Sequence, residues 1–195
     1  MNTTIDYFNE RAEHFFHDAF TISERTNQDR FLSYLAPGAH ILDFGCGAGR
    51  DTAYFRQKGF EVTPTDGSGE MCRLAAQYLH TPVRTLEFNE LADVDCYDGI
   101  FASASIMHIE YDKIVELFPK MRRALHDGGI LYVSFKYGND DFYLGKRWYT
   151  NMTEQRLEAL VRGCGSFGFE DVGTFGNEHP DQPSFRFIYA LLRAE

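Results

Sequence analysis

His40-Ile41-Leu42-Asp43-Phe44-Gly45-Cys46-Gly47-Ala48-Gly49-Arg50-Asp51-Thr52 decides how this chain folds. His40 to Phe44 is a short, mostly apolar run of the kind a buried parallel strand shows. Three glycines then follow at alternate positions, and Thr52 to Lys58 continues as a helical pattern. Strand, glycine turn and helix together open a nucleotide-type α/β site. Glycine there permits backbone angles closed to other residues and lets a ligand lie against the chain. The helix N-terminus beyond offers free N–H groups.

Working outward, the glycine spacing separates two cofactor classes. A dinucleotide fingerprint reads G-x-G-x-x-G. Here Arg50 stands where its third glycine belongs, and the spacing is G-x-G-x-G. Downstream, Gly59-Phe60-Glu61-Val62-Thr63-Pro64-Thr65-Asp66 reads as the next strand, ending on an acid. An acid about 20 residues past the glycines is placed to accept hydrogen bonds from ribose hydroxyls. The competing role for Asp66 is to cap the following helix, a position Asp favours.

The 195 residues suit one domain with a sizeable core. Lys plus Arg is 19 and Asp plus Glu is 29, for a net charge of −10, which argues against a long nucleic acid partner. Cys46, Cys72, Cys96 and Cys164 are widely scattered with no C-x-x-C pair, so no metal site is expected, and a reduced cytoplasmic setting fits them. The N-terminus has neither a basic start nor an apolar stretch, so no signal peptide is expected. No run is long enough to span a bilayer.

In chain order, Asp6 to Phe20 reads as one helix with a heavily aromatic face: Tyr7, Phe8, Phe15, Phe16 and Phe20. A second helix runs from Ser23 to Leu35, and Pro37-Gly38 ends it. After Asp66 comes a helix from Glu70 to Leu79, and Pro82 to Leu86 is a third strand. Tyr97 to Ser103 is the fourth strand, and Ser103 to His108 crosses the ligand-binding end of the sheet. His108, with an ordinary pKa of about 6.5, is there either a general base or a helix-start residue bonded to backbone. Ile114 to Leu125 is an amphipathic helix, ended by Asp127-Gly128-Gly129. Ile130 to Phe135 is the fifth strand, and Lys136 to Thr150 is a polar and aromatic loop. Loops of that length are uncommon unless functional or disordered. A helix over Thr153 to Val161 precedes two closing strands, Phe167 to Phe175 and Arg186 to Leu192. Gly176 to Ser184 joins these as a hairpin-like connection.

Leu42-Asp43 followed by G-x-G-x-G resembles the first motif of the class I methyltransferases that use S-adenosylmethionine (SAM). Arg123 to Leu131 resembles the same family's turn before the fifth strand, with His126-Asp127 for its Lys-Pro. From about Phe31 onward the chain is similar to small bacterial members of the tellurite-resistance type. The resemblance implies an α/β, Rossmann-like fold. Its sheet has seven mostly parallel strands and an antiparallel last strand, with helices on both faces. Residues 1–36 would form a helical cap and 37–195 the core. SAM, with S-adenosylhomocysteine as product, is the implied cofactor. The implied contacts are Tyr7, Arg11, Asp43, Gly45, Cys46, Gly47, Asp66, Gly67, Met71, Glu87, Phe88, Asn89 and Ser103. Phe88 and Met71 are candidates for the two faces of the adenine, against the commoner role of such side chains in a core. No Asn-Pro-Pro-Tyr follows the fourth strand, which lowers the case for exocyclic amines of bases as acceptors. Ser105, Lys136, Tyr137, Arg147 and Trp148 are candidates to hold a small, partly flat or anionic acceptor, with His108 as the candidate base. A macromolecular acceptor and a non-catalytic SAM-binding protein remain the alternatives.

Overall fold

The computed structural model describes residues 3–21, 24–177 and 185–195. In chain order these form α1 (Thr3–Glu10), α2 (Ala12–Ala19), α3 (Thr26–Leu32), β1 (His40–Phe44), α4 (Arg50–Gln57), β2 (Glu61–Asp66), α5 (Gly69–Leu79) and β3 (Arg84–Thr85). There follow β4 (Tyr97–Ala102), α6 (Tyr111–Ala124), β5 (Leu125–Lys136), β6 (Phe142–Leu144), β7 (Arg147–Tyr149), α7 (Glu154–Cys164), β8 (Phe167–Asn177) and β9 (Phe185–Ala194). Seven strands make one sheet in the order β3-β2-β1-β4-β5-β9-β8. Every neighbour pair through β5 is parallel, and β9 runs antiparallel to both β5 and β8. The strand order reverses between β1 and β4, which opens a crevice at their carboxyl ends.

Alternate residues of each strand serve two apolar layers, as the pleat requires. Leu42, Ile100, Ala102, Leu131 and Val133 face the layer covered by α6 and α7, through Phe118, Met121, Leu157 and Leu160. Ile41, Phe101, Ile130 and Tyr132 face the layer covered by α3 and α4, through Phe31 and Phe55. Phe101 and Tyr132 stack at 4.6 Å, and Phe31 meets Phe101 at 5.2 Å.

Several local expectations are corrected. The single helix over Asp6–Phe20 is two, broken at Arg11, whose backbone (φ −123°, ψ 18°) leaves the helical region. The break brings Phe8 against Phe15 at 5.1 Å, so tertiary packing overrides local propensity. Asp127-Gly128-Gly129 does not cap α6, which ends at Ala124. Between the pairs Tyr97↔Leu125 and Gly99↔Ile130, β4 advances two residues while β5 advances five, so the glycines sit in a bulge at the start of β5. The third strand is only Arg84–Thr85. The loop from Lys136 to Thr150 contains the β6–β7 hairpin, turned by Gly145-Lys146 with Gly145 at φ +63°. The expected helix start at Ser23 and most of the expected connection over Gly176–Ser184 lie outside the described residues.

Candidate active site

The glycine turn is built by backbone. Gly45 and Cys46 donate their N–H groups to the Thr65 carbonyl at 2.9 and 2.8 Å, pinning the turn to β2. Gly45 sits at φ +88°, and a Cβ there would fall 2.5 Å from the Ser105 Cβ, so side chain and conformation are both excluded. Gly47, at φ +53°, differs: a Cβ there would meet only the Met71 Cε, at 3.9 Å, and would otherwise project into open space.

Asp66 closes the turn from the other side. Its Oδ2 accepts from Gly47 N at 2.9 Å and its Oδ1 from Ser68 N at 2.8 Å. Burial pushes its pKa up, and these two N–H groups partly offset that. The helix-cap role belongs to Ser68, whose Oγ accepts from Met71 N at 3.2 Å. Each carboxylate oxygen of Asp66 has acceptor capacity left over. Asp43 lies deeper and is 3% exposed. Thr52 Oγ1 donates to its Oδ2 at 2.5 Å. Burial, then the charge of Asp51, pushes its pKa up to about 7 against the Thr52 hydrogen bond.

A cavity of about 500 Å³ lies over the crevice. Gly45, Cys46, Gly47, Asp66, Gly67, Met71, Glu87, Phe88, Asn89 and Ser103 border it, as do Ser105 and His108. Phe88 packs edge-on against Phe44 at 4.9 Å. Ser105 Oγ donates to the Phe44 carbonyl at 2.7 Å, tying the end of β4 to the end of β1. His108 Nδ1 lies 2.8 Å from the Trp148 carbonyl, and its ring meets Phe8 at 5.2 Å and Tyr149 at 4.9 Å, both edge-on. Burial, then the nearby charges of Arg147 and Lys136, lowers its pKa to about 4, with the Trp148 carbonyl opposing.

Seven candidates do not border the cavity. Asp43 is under the turn. Arg11 is exposed, its guanidinium 5.2 Å over the Tyr7 ring, and Tyr7 packs on Phe8 and Phe15 behind the cavity wall. Tyr137 faces outward, donating its hydroxyl to Glu154 at 2.7 Å. Lys136 stands over the Tyr149 ring at 4.2 Å. Trp148 donates its N–H to Thr4 Oγ1 at 3.2 Å and its indole N–H to Thr150 Oγ1 at 2.9 Å. Arg147 is ringed by Tyr149, Tyr7, Phe15 and Phe8 at 4.7 to 5.9 Å. The hairpin therefore fastens the N-terminal helices instead of lining the cavity.

Those helices form a roof that sequence reasoning named only in part. Thr4, Ile5, Phe8, Phe15 and Ala19 border the cavity from above. Asn9 Oδ1 accepts from Ser68 Oγ at 2.7 Å and from Glu70 N at 3.2 Å, which ties the roof to α5. Also missed were Arg50 of α4 and Lys113 and Lys120 of α6, which border the cavity as well. The amphipathic spacing of α6 marks its buried face and gives no sign of its polar contribution to the mouth.

These residues fit a nucleoside. Gly47 leaves room at the backbone, Asp66 has spare acceptors for vicinal hydroxyls, and Met71 and Phe88 offer apolar walls to a flat base. Residues 41–129 match the family described as a methyltransferase domain. The chain is 31% identical over 152 residues to the malonyl-[acyl-carrier protein] O-methyltransferase of Pectobacterium atrosepticum, covering 75% of this chain and 56% of that protein. It thus spans little more than half the length of that relative. The 1,6-didemethyltoxoflavin-N1-methyltransferase of Burkholderia thailandensis, solved with 1,6-didemethyltoxoflavin and S-adenosylhomocysteine bound, superposes with a TM-score of 0.81. It is 23% identical, over 98% of this chain and 87% of that one. TehB from Haemophilus influenzae superposes with a TM-score of 0.71 at 16% identity, over 94% of this chain and 67% of that one. In fold, in its glycine turn and in the methyltransferase-domain match over residues 41–129, the chain is similar to the class I SAM-dependent methyltransferases.

Proposed function

We propose that this chain is a SAM-dependent methyltransferase and that it acts on a small molecule sharing the roofed cavity with SAM. The observation that carries this is the roof itself. Thr4, Ile5, Phe8 and Phe15 close over the end of β4, held by Asn9 on one side and by the β6–β7 hairpin on the other. A cavity of about 500 Å³ under such a cover is of small-molecule size. The net charge of −10 runs against a nucleic acid partner. The fold neighbour solved with 1,6-didemethyltoxoflavin and S-adenosylhomocysteine bound supports a small acceptor.

In this reading Gly45, Gly47, Asp66, Gly67, Met71, Phe88 and Asn89 hold the nucleoside. Bound SAM supplies an electrophilic methyl group on a sulfonium. The chain's own work then includes aligning the acceptor and excluding water, to which orientation contributes strongly. Ser103, Ser105 and His108 stand at the end of β4, where an acceptor would meet them. Four unpaired thiols fit a reduced cytoplasm. Across the described residues, no helix is long and apolar enough to cross a membrane.

The test is to incubate the protein with methyl-labelled SAM and fractionated cell extract. Label is expected in the low-molecular-weight metabolite fraction. Label confined to RNA or protein overturns the reading.

A further inference from the structure

His108 carries more information than its place beside the cavity. The Trp148 carbonyl oxygen can only accept a hydrogen bond, so the contact of 2.8 Å at Nδ1 requires the hydrogen to sit on Nδ1. A neutral imidazole so arranged leaves Nε2 with a bare lone pair. Nε2 makes no hydrogen bond to any described residue. It is also not sealed away: the sealed side-chain atoms without partners are Tyr132 Oη, Arg147 Nε and Asn151 Oδ1. His108 borders the cavity.

The surroundings keep that ring neutral. Arg147 and Lys136 both lie over the Tyr149 ring, at 4.7 and 4.2 Å, and His108 meets the same ring edge-on. The other element packed on the imidazole, α1, presents Phe8. Among the described residues, the charges acting on His108 are these two cations. A proton on Nε2 would add a third positive charge to a half-buried site.

We propose that His108 selects the acceptor: Nε2 shows the cavity a lone pair and no proton, so the reacting atom is one that carries a hydrogen, a hydroxyl or an amine N–H. Thioethers and tertiary amines, which have no hydrogen to offer, are disfavoured. This rests on the small-acceptor reading above and narrows it to a chemical class. In the transfer, the proton of the acceptor's X–H bond passes to Nε2 and the electron pair of X forms the new X–C bond. The pair of the broken C–S bond stays on sulfur. Arg147 and Lys136 then press the imidazolium to give its proton to water.

The first test needs no acceptor. Long-range proton–nitrogen spectra of the labelled protein should show His108 as the Nδ1–H tautomer at pH 7, still neutral at pH 5. An Nε2–H tautomer, or an imidazolium at pH 7, overturns the assignment. The second test uses the labelled product from extract. Methyl on an oxygen or nitrogen that carried hydrogen supports the proposal, and a sulfonium or quaternary ammonium product overturns it. With that acceptor, His108→Asn retains a donor for the Trp148 carbonyl but has nothing at the Nε2 position. It should lower kcat by at least about a hundredfold, the lower range for general acid–base contributions, while SAM affinity by calorimetry stays within about twofold. His108→Gln, which can return an acceptor near the Nε2 position, should recover part of the loss. Unchanged turnover in His108→Asn overturns the proposal. The two possible failures separate cleanly: label on RNA or protein removes the small-acceptor reading whatever the tautomer, and the wrong tautomer removes this assignment whatever the acceptor.

Discussion

The two sides of the cavity are made by different means. On the side of the glycine turn, backbone does the construction: positive φ at Gly45 and Gly47, N–H groups on the Thr65 carbonyl, and one carboxylate gathering Gly47 N and Ser68 N. Those partners lie within about two dozen residues of one another. On the roof side, side chains do it, and their partners are far apart in sequence. Trp148 bonds to Thr4, Lys146 to Glu10, and Arg147 rests among rings from α1, α2 and β7. A site written in backbone tolerates almost no substitution at its glycines. A site written in many side-chain contacts spreads its energy, so single losses there are small.

Substitutions can break that contrast, beginning with the one of largest expected effect. Gly45→Val places a Cβ 2.5 Å from that of Ser105 at φ +88°. SAM binding by calorimetry should vanish, and measurable binding would show that the turn tolerates a side chain after all. Next comes Asp43, whose folded pKa of about 7 lies above its ordinary 3.8. The folded state then holds the extra proton between those values, so this group's contribution to stability falls as pH rises through the window. Between pH 5 and 8 that is about 3 kcal/mol, to order of magnitude. Asp43→Asn should flatten the fall, seen by comparing denaturation midpoints at the two pH values. An unchanged slope would remove Asp43 as its source.

Asp66→Ala should weaken SAM at least about tenfold, since hydrogen bonds to a charged group are worth roughly 1.5–3 kcal/mol. Wild-type affinity would leave Asp66 as a turn fastener only. Smallest is Lys146→Ala. Its bond to Glu10 joins two half-exposed side chains, at 54% and 55%. Loss of an exposed ion pair costs about 0–1 kcal/mol. A larger drop in melting temperature would mean that the roof hangs on one contact instead of many.

The same contrast explains what could be read in the sequence. The glycine spacing, the acid at Asp66 and the apolar runs of β1, β4 and β5 are local signals, and they place the sheet and the glycine turn. Phe88 and Met71, the candidates for the adenine walls, border the cavity. The hairpin inside Lys136–Thr150 had a readable signal, Gly145-Lys146 between Phe-Tyr-Leu and Arg-Trp-Tyr, a two-residue turn between strand formers. The direction of Arg147 had none. It is charged and sits in a polar stretch, yet its guanidinium turns inward onto four rings. The break at Arg11 was equally silent, because no glycine or proline marks it and only the meeting of Phe8 with Phe15 accounts for it. The Asp127-Gly128-Gly129 bulge misled because glycine after a helix ordinarily means a cap.

The place of β9 has a consequence for how the molecule comes into being. It follows β8 in sequence but is an interior strand in the sheet, inserted between β5 and β8. Its pairs with β5 join residues 51 to 63 positions apart, from Lys136↔Phe187 to Ile130↔Arg193. During synthesis, everything through β8 leaves the ribosome while β5 still has a bare edge and β8 has no neighbour. Such non-local pairing is slow to form, and uncovered strand edges invite wrong partners. Nascent β5 and β8 therefore wait unpaired until the stretch from Phe185 to Ala194 emerges between them. The ten residues of β9 act as a late-arriving closure for this sheet.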